Sequence, residues 1–165
     1  MLENALATKF EANATIGVIS DTHGLLRPSA IDALRGFDLI LHAGDVDRAE
    51  ILGGLRAVAP VIAVRGNVDH GGWAEALAMS EVISLGPHSI YMRHILADID
   101  LDPQAAGFAA VIHGHSHKPD IAAKNGVIYF NPGSAGPRRF ALPVTVGRLR
   151  VVAGRLDPQL IPIEA

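Results

Sequence analysis

At 165 residues, with 49% hydrophobic but only 5% aromatic side chains, the chain is expected to form one domain with a Val, Ile, Leu and Ala core suited to layered α/β packing. Its net charge of −3, with no basic cluster longer than Arg138-Arg139, gives no indication of nucleic-acid binding, and no apolar run approaches the ~18 residues of a membrane span. The lack of cysteine excludes disulfides and thiolate metal sites, fits a cytoplasmic location, and leaves His, Asp, Glu and Asn as the available metal ligands.

The N-terminal stretch from Met1 to Ala14 carries Glu3, Lys9 and Glu11 and lacks the continuous apolar segment of a secretory signal. It is expected to be a flexible or loosely helical lead-in, with residues 15–165 forming the domain. Thr15 to Ser20 then reads as a short buried strand that runs directly into Asp21-Thr22-His23-Gly24. Asp21 and His23 are two apart, so in locally extended chain they point the same way. A helix over Pro28 to Leu34 follows, with proline in its first turn and Gly36 ending it.

Phe37 to Ala43 is the second expected strand, closed by Gly44-Asp45. A helix from Asp47 to Val58 follows, with Asp47 as its N-cap, and Pro60 to Val64 is the third strand, ending in Arg65-Gly66-Asn67-Val68-Asp69. Strand and helix alternate here in the βαβαβ rhythm of a parallel sheet, whose ligands bind beyond the carboxyl ends of the strands. Asp21, His23, Asp45 and Asn67 all stand at such ends.

After Trp73 the rhythm changes. Glu81 to Leu85 and Ser89 to Arg93 read as a hairpin through Gly86-Pro87-His88, and His94 ends its second strand. Ile95 to Ala106 is expected to be helix or loop, weakened by Pro103. Phe108 to Ile112 is an apolar strand running into His113-Gly114-His115-Ser116-His117, where Gly114 breaks the strand and Pro119 prevents a helix from following. Asp120 to Ala123 and Val127 to Phe130 flank the turn Asn125-Gly126, and Val144 to Val152 pairs with Leu156 to Ile163. Two sheets packed face to face with helices outside is the simplest architecture for this order, and the second half reads as hairpin-rich.

Seven nitrogen or oxygen ligands thus fall at successive strand ends: Asp21, His23, Asp45, Asn67, His94, His115 and His117. The gaps between ends are 24 residues from Asp21 to Asp45, 22 to Asn67, 27 to His94 and 21 to His115, each about one strand, one connection and one return. Any one of these residues alone could be a cap or turn residue. The ordered set is not the default of a structural domain. His88, in a turn, is a rival ligand; His42 and His113, inside strand ends, read as structural histidines.

The ordered motifs Asp-x-His, Gly-Asp, Gly-Asn and Gly-His-x-His resemble those of the calcineurin-like metallophosphoesterases, and are similar above all to the small single-domain bacterial and archaeal branch related to Vps29. Asn131-Pro132-Gly133-Ser134 and Pro137-Arg138 match a loop of that branch. The resemblance implies a four-layer αββα sandwich of two mixed β-sheets flanked by helices. It further implies one divalent metal held by Asp21, His23, Asp45 and His117, and a second held by Asp45, Asn67, His94 and His115, with Asp45 bridging.

Manganese is the foremost expectation for both ions, and iron, nickel, cobalt and zinc also suit mixed N/O ligands. The implied activity is hydrolysis of a small phosphate ester, a phosphodiester before a monoester, by in-line attack of a metal-bridging hydroxide. Asp45, Asn67, Asp69 and His94 are the expected catalytic residues, and Asn67, Arg65 and Arg138 the expected substrate contacts. The sequence departs from the pattern at Ile95, where the family usually has glycine. It departs again at Val68, where many larger relatives carry a proton-donating histidine; His70 is a near substitute. The same resemblance admits a catalytically silent, Vps29-like interaction module, and homo-oligomerisation is compatible with the sequence.

Overall fold

The computed structural model describes residues 8–165, and the part of the expected lead-in before Thr8 lies outside them. Within that lead-in the structure differs from the expectation: Thr8–Phe10 is a strand, β1, not a flexible or loosely helical segment. It is only three residues long, too short to carry a periodicity, and its strand character comes from the partner it meets.

The βαβαβ rhythm of the first half is present. β2 (Ile16–Ile19), α1 (Pro28–Leu34), β3 (Leu39–His42), α2 (Ala49–Arg56) and β4 (Val61–Ala63) follow one another, with β2, β3 and β4 parallel. Alternation decides which layer each side chain joins. Ile16, Val18, Leu39 and Leu41 enter the core between the sheets, while Ile19 and Ile40 pack outward beneath the helices, against Leu34, Ile51, Leu52 and Leu55. Burying each such side chain is worth about 1.5–3 kcal/mol.

α2 starts at Ala49, not at Asp47, and Arg48 stands at its N-cap without a side-chain capping bond. Asp47 is still turning the chain, at φ 74°, and its N–H donates to Asp69 Oδ1 at 2.8 Å.

The second half contains α3 (Gly72–Glu75), β5 (Ser80–Leu85), β6 (His88–Arg93), a 3-10 turn at Leu96–Asp98, β7 (Ala110–Ile112), β8 (Asp120–Lys124), β9 (Val127–Asn131), β10 (Thr145–Val152) and β11 (Arg155–Pro162). α3 is a single helical turn with no signal in the sequence pattern. His88 opens β6 instead of lying in the turn, and its Nε2 lies 3.0 Å from the Gly154 carbonyl oxygen, so it is no rival ligand. Phe108 lies outside β7 and packs on the Tyr91 ring, with centroids 5.2 Å apart.

The six-stranded sheet has the order β1-β5-β6-β7-β9-β8, with β6, β7 and β9 parallel, so hairpins alone do not build it. The five-stranded sheet has the order β11-β10-β2-β3-β4, and β10 joins it antiparallel to β2. The C-terminal hairpin therefore completes the sheet of the first half.

The fold is the expected sandwich of two mixed sheets, with few helices. The helices α1 and α2 cover the five-stranded sheet. The layer over the six-stranded sheet is thin: Ile99, Leu101 and Phe108, from the segment around the 3-10 turn, pack on Tyr91, Val111 and Val127.

Candidate metal centre

Register brings the ligand-bearing loops to one level. Ile19 pairs with His42, His42 with Ala63, and Met92 with Ile112, so the residues that follow leave the two sheets side by side. Backbone bonds then tie loop to loop. The Asp21 N–H donates to the Gly44 carbonyl and the His23 N–H to the Asp45 carbonyl, both at 3.0 Å, and the Gly114 N–H donates to the His94 carbonyl at 3.0 Å.

The ligand-bearing residues are held in an unusual backbone state. Asp21, His23, Asp45, His115 and His117 have φ of 54°, 45°, 57°, 71° and 62°, in the left-handed region that non-glycine residues seldom occupy. Such conformations cost of order 1–3 kcal/mol each and persist only where the surroundings enforce them. Here the sharp turns after β2, β3 and β7 swing five of the seven side chains into one pocket.

Each carboxylate is anchored by one oxygen and presents the other. Asp21 Oδ2 accepts from Ser20 Oγ at 2.6 Å and from the His115 N–H at 3.1 Å. Asp21 Oδ1 is buried, has no hydrogen-bond partner, and lies 3.4 Å from His117 Nε2 and 3.7 Å from His23 Nε2. Asp45 Oδ1 accepts from the Val68 N–H at 3.1 Å, while Oδ2 lies 3.1 Å from His94 Nε2 and 3.7 Å from His23 Nε2. Asn67 Oδ1 sits 3.0 Å from both His94 Nε2 and His115 Nδ1.

All seven expected ligands are therefore brought together. Six of them form two triads, Asp21–His23–His117 and Asp45–His94–His115, with the ligand atoms of each triad within 4.8 Å of one another, and Asn67 Oδ1 touches both histidines of the second. Asp45 Oδ2 faces a histidine of each triad. His23 and His117 aim their Nε2 atoms at each other across 3.1 Å with the rings stacked. Either a single proton is shared between them or both lone pairs face one cation. The unpartnered Asp21 Oδ1 beside that pair suits a cation, as does the uniform set of hard oxygen and imidazole donors.

The electrostatics follow from the same contacts. Burial alone would raise the Asp21 carboxyl, but the adjacent His117 and His23 rings, the charge of His94 and the Ser20 hydroxyl hold it well below the usual carboxylate range. Burial likewise pushes Asp45 up, and contact with His94 and the Val68 N–H more than reverse this. Burial pulls His94 down, yet Asp45 and Asp21 leave it raised above the ordinary 6.5.

His42 is a different case. It is fully buried outside the centre, its Nδ1 accepting the Gly44 N–H at 3.1 Å and its Nε2 2.9 Å from Thr22 Oγ1, and burial pushes its pKa down to about 4. His113 is also buried and lowered by burial, in keeping with a structural role.

Asp69, also among the expected catalytic residues, accepts backbone bonds with both oxygens: Oδ2 accepts from Asp45 and Gly66 at 3.1 and 2.7 Å, and Oδ1 accepts from Asp47. It positions the loops that carry Asp45 and Asn67. Gly66 permits this close approach, since a Cβ there would collide with the Asp45 backbone and carboxylate. Ile95, which stands where the family usually has glycine, is extended at φ −105° and ψ 115° and needs no glycine. His70 is exposed, and Arg138 is exposed beyond Gly136 and makes no hydrogen bond or ion pair among the described residues. Arg65 is half-buried beside Asn67 and His94.

The sequence assigns the loop from Asn131 to Ser134 no role beyond its match to the family. The structure makes it a brace. The Asn131 amide donates to the Gly114 carbonyl and to Ser116 Oγ, both at 3.1 Å, and Ser134 Oγ donates to the Asp21 carbonyl at 2.8 Å. Ser20, which orients Asp21, was not singled out. Its position directly before a strand-end aspartate was the available signal.

Comparison with known proteins agrees with this geometry. The profile of the calcineurin-like phosphoesterase superfamily domain matches residues 15–154. A curated protein of Methanocaldococcus jannaschii, described as a probable metallophosphoesterase, is 36% identical over 90% of this chain and 81% of its own. Among solved structures, an archaeal phosphodiesterase superposes with a TM-score of 0.74 at 20% identity over 89% of this chain and 99% of its own. Vps29 of Chaetomium thermophilum also gives 0.74, at 17% identity over 90% and 96%. At these identities the two structures speak to the fold alone. The profile and the curated relative reach further: the chain belongs to the calcineurin-like phosphoesterase superfamily, whose members hydrolyse phosphate esters with divalent metal ions.

Proposed function

We propose that the protein is a dinuclear-metal phosphodiesterase. The observation that carries the reading is the placement of Asp45 Oδ2, 3.7 Å from His23 Nε2 and 3.1 Å from His94 Nε2, between the two ligand triads. Asp21, His23, Asp45 and His117 would hold one ion and Asp45, Asn67, His94 and His115 the second, with manganese favoured. When bound, the two ions supply Lewis-acid neutralisation of phosphoryl charge and make a bound water acidic enough to ionise near neutral pH.

The chain's own residues do the rest. Asp21 and Asp45, held ionised, balance cationic charge without needing to lose a proton on loading. Asn67 has its Oδ1 occupied between two histidines, which leaves its amide N–H groups to donate to a phosphoryl oxygen. Val68 follows Asn67, so no proton-donating side chain stands at that position to help a poor leaving group depart. This favours diesters with a stable leaving alcohol, the preference taken here. The rival, a catalytically silent Vps29-like module, calls for eroded ligand positions, and all seven are ligand-competent.

The test is hydrolysis of bis(4-nitrophenyl) phosphate by protein loaded separately with manganese, iron, cobalt, nickel and zinc, beside Asp45→Asn and His117→Ala. Metal-dependent turnover that falls at least a hundredfold in both variants supports the reading. Undiminished turnover in both, or none with any metal, overturns it.

A further inference from the structure

A narrow cleft of about 100 Å³ opens beside the second triad, lined by Arg65, Asn67, Met79, Arg93, His94 and Asp98. Asn67 and His94 belong to the centre, so whatever enters the cleft is in contact with the reacting region. The other walls have no part in the ligand set.

Both arginines are half-buried, and neither makes an ion pair or a side-chain hydrogen bond among the described residues. The Arg65 Nε is buried and unpartnered. A guanidinium taken from water without an acceptor is costly, and two in one cleft repel each other. Asp98 is exposed at the rim and within ion-pair distance of neither, so it does not discharge them.

The backbone fixes this juxtaposition. The Arg65 N–H donates to the Ala78 carbonyl at 2.9 Å, and Ser80, two residues further on, pairs with Arg93 across β5 and β6. Met79, between those two anchors, offers an exposed apolar side chain at the mouth.

We propose that the cleft is a subsite for a second anionic group on the substrate: one ester arm of the scissile diester bears a phosphate or carboxylate that Arg65 and Arg93 clamp. The assignment rests on the phosphodiesterase reading above and narrows its substrate class. Two guanidiniums present a forked donor array matched to either anion. The small volume suits a compact anion on a short arm, with Met79 against the methylenes of that arm.

The experiment uses the manganese-loaded protein and three chromogenic diesters, ethyl, 2-carboxyethyl and 2-phosphoethyl 4-nitrophenyl phosphate. It adds calorimetric binding of propane-1,3-bisphosphonate against propylphosphonate in excess metal. At least one charged arm should raise kcat/KM tenfold or more over the ethyl arm, and the better of the two identifies the anion. Arg65→Gln and Arg93→Gln should each cut that ratio at least fivefold, while Arg35→Gln, at the exposed C-cap of α1 and outside the cleft lining, should keep it. Equal turnover of all three diesters overturns the subsite and leaves the hydrolase intact. No turnover at all, with bisphosphonate bound tenfold tighter than propylphosphonate and the gain lost in Arg93→Gln, upholds the subsite and overturns the hydrolase. Neither preference nor turnover overturns both.

Discussion

The Nδ1 of His94 lies 2.7 Å from the carbonyl oxygen of Ala43, and this contact decides which face of the ring the centre meets. A carbonyl can only accept, so Nδ1 carries a proton and Nε2 is the nitrogen that faces Asp45 and Asn67, free to take a metal once its own proton is gone. Gly44, next to that carbonyl, has φ 102°, and a Cβ there would stand 2.8 Å from His94 Nδ1. Gly44→Ala should therefore displace the ring while leaving every ligand in the sequence. The expected result is a 10–100-fold weaker second metal site, read by metal titration; unchanged affinity would show that the ring does not depend on this wall.

Loading the second site should release a proton. Burial lowers the His94 pKa, but Asp45 and Asp21 raise it above the ordinary 6.5. In the metal-free protein the charged ring thus stabilises the fold below 6.5, and this contribution is lost as pH rises through the raised value. Metal must displace that proton, so affinity should climb with pH across the window above 6.5. Calorimetry in two buffers of different ionisation enthalpy measures the release, and His94→Ala should abolish it. A pH-independent affinity would contradict the assignment.

His42 has the opposite sign. Its pKa in the folded state is about 4, against an ordinary 6.5, because burial disfavours the charged ring. Between those values the unfolded chain binds the proton and the folded chain does not, so stability is intact above 6.5 and falls as pH drops toward 4. The loss by pH 5 is about 2 kcal/mol. His42→Gln should remove most of that slope in urea unfolding of metal-free protein at pH 7 and pH 5. An identical acid slope in the variant would assign it elsewhere.

Much of the fold was legible in the sequence because apolar strands announce themselves, and the candidate ligands stand at their ends. The apolar run Ile16-Gly17-Val18-Ile19 and the order Asp21, Asp45, Asn67, His94, His115 point to candidate ligands at successive strand ends, and the structure brings those side chains together. What was not legible depends on partners distant in sequence. β1 is a strand because β5 lies beside it, and β10 joins β2 across more than a hundred residues. The side-chain type of Asp69 says carboxylate; only its three backbone donors say positioning residue. Nothing in the residue types at Asp21 or His117 announces a left-handed backbone, which only the tertiary fold enforces.

Asp69→Asn should separate positioning from catalysis. It replaces an ionised acceptor for three backbone N–H groups by a neutral amide with one oxygen. Losing charge-assisted bonds at a buried site should cost about 2–3 kcal/mol of stability, and activity should fall through weaker metal loading. Saturating metal should then recover most of kcat. A kcat that stays low with both sites filled would return Asp69 to the catalytic residues.

Under the proposed function, seven side chains from five strand ends hold two metal ions around Asp45. Anomalous diffraction from crystals grown with manganese tests it most directly. Two peaks are expected, one against Asp21, His23 and His117 and the other against Asn67, His94 and His115, with the Asp45 carboxylate touching both. A single peak, or none among these residues, would contradict it.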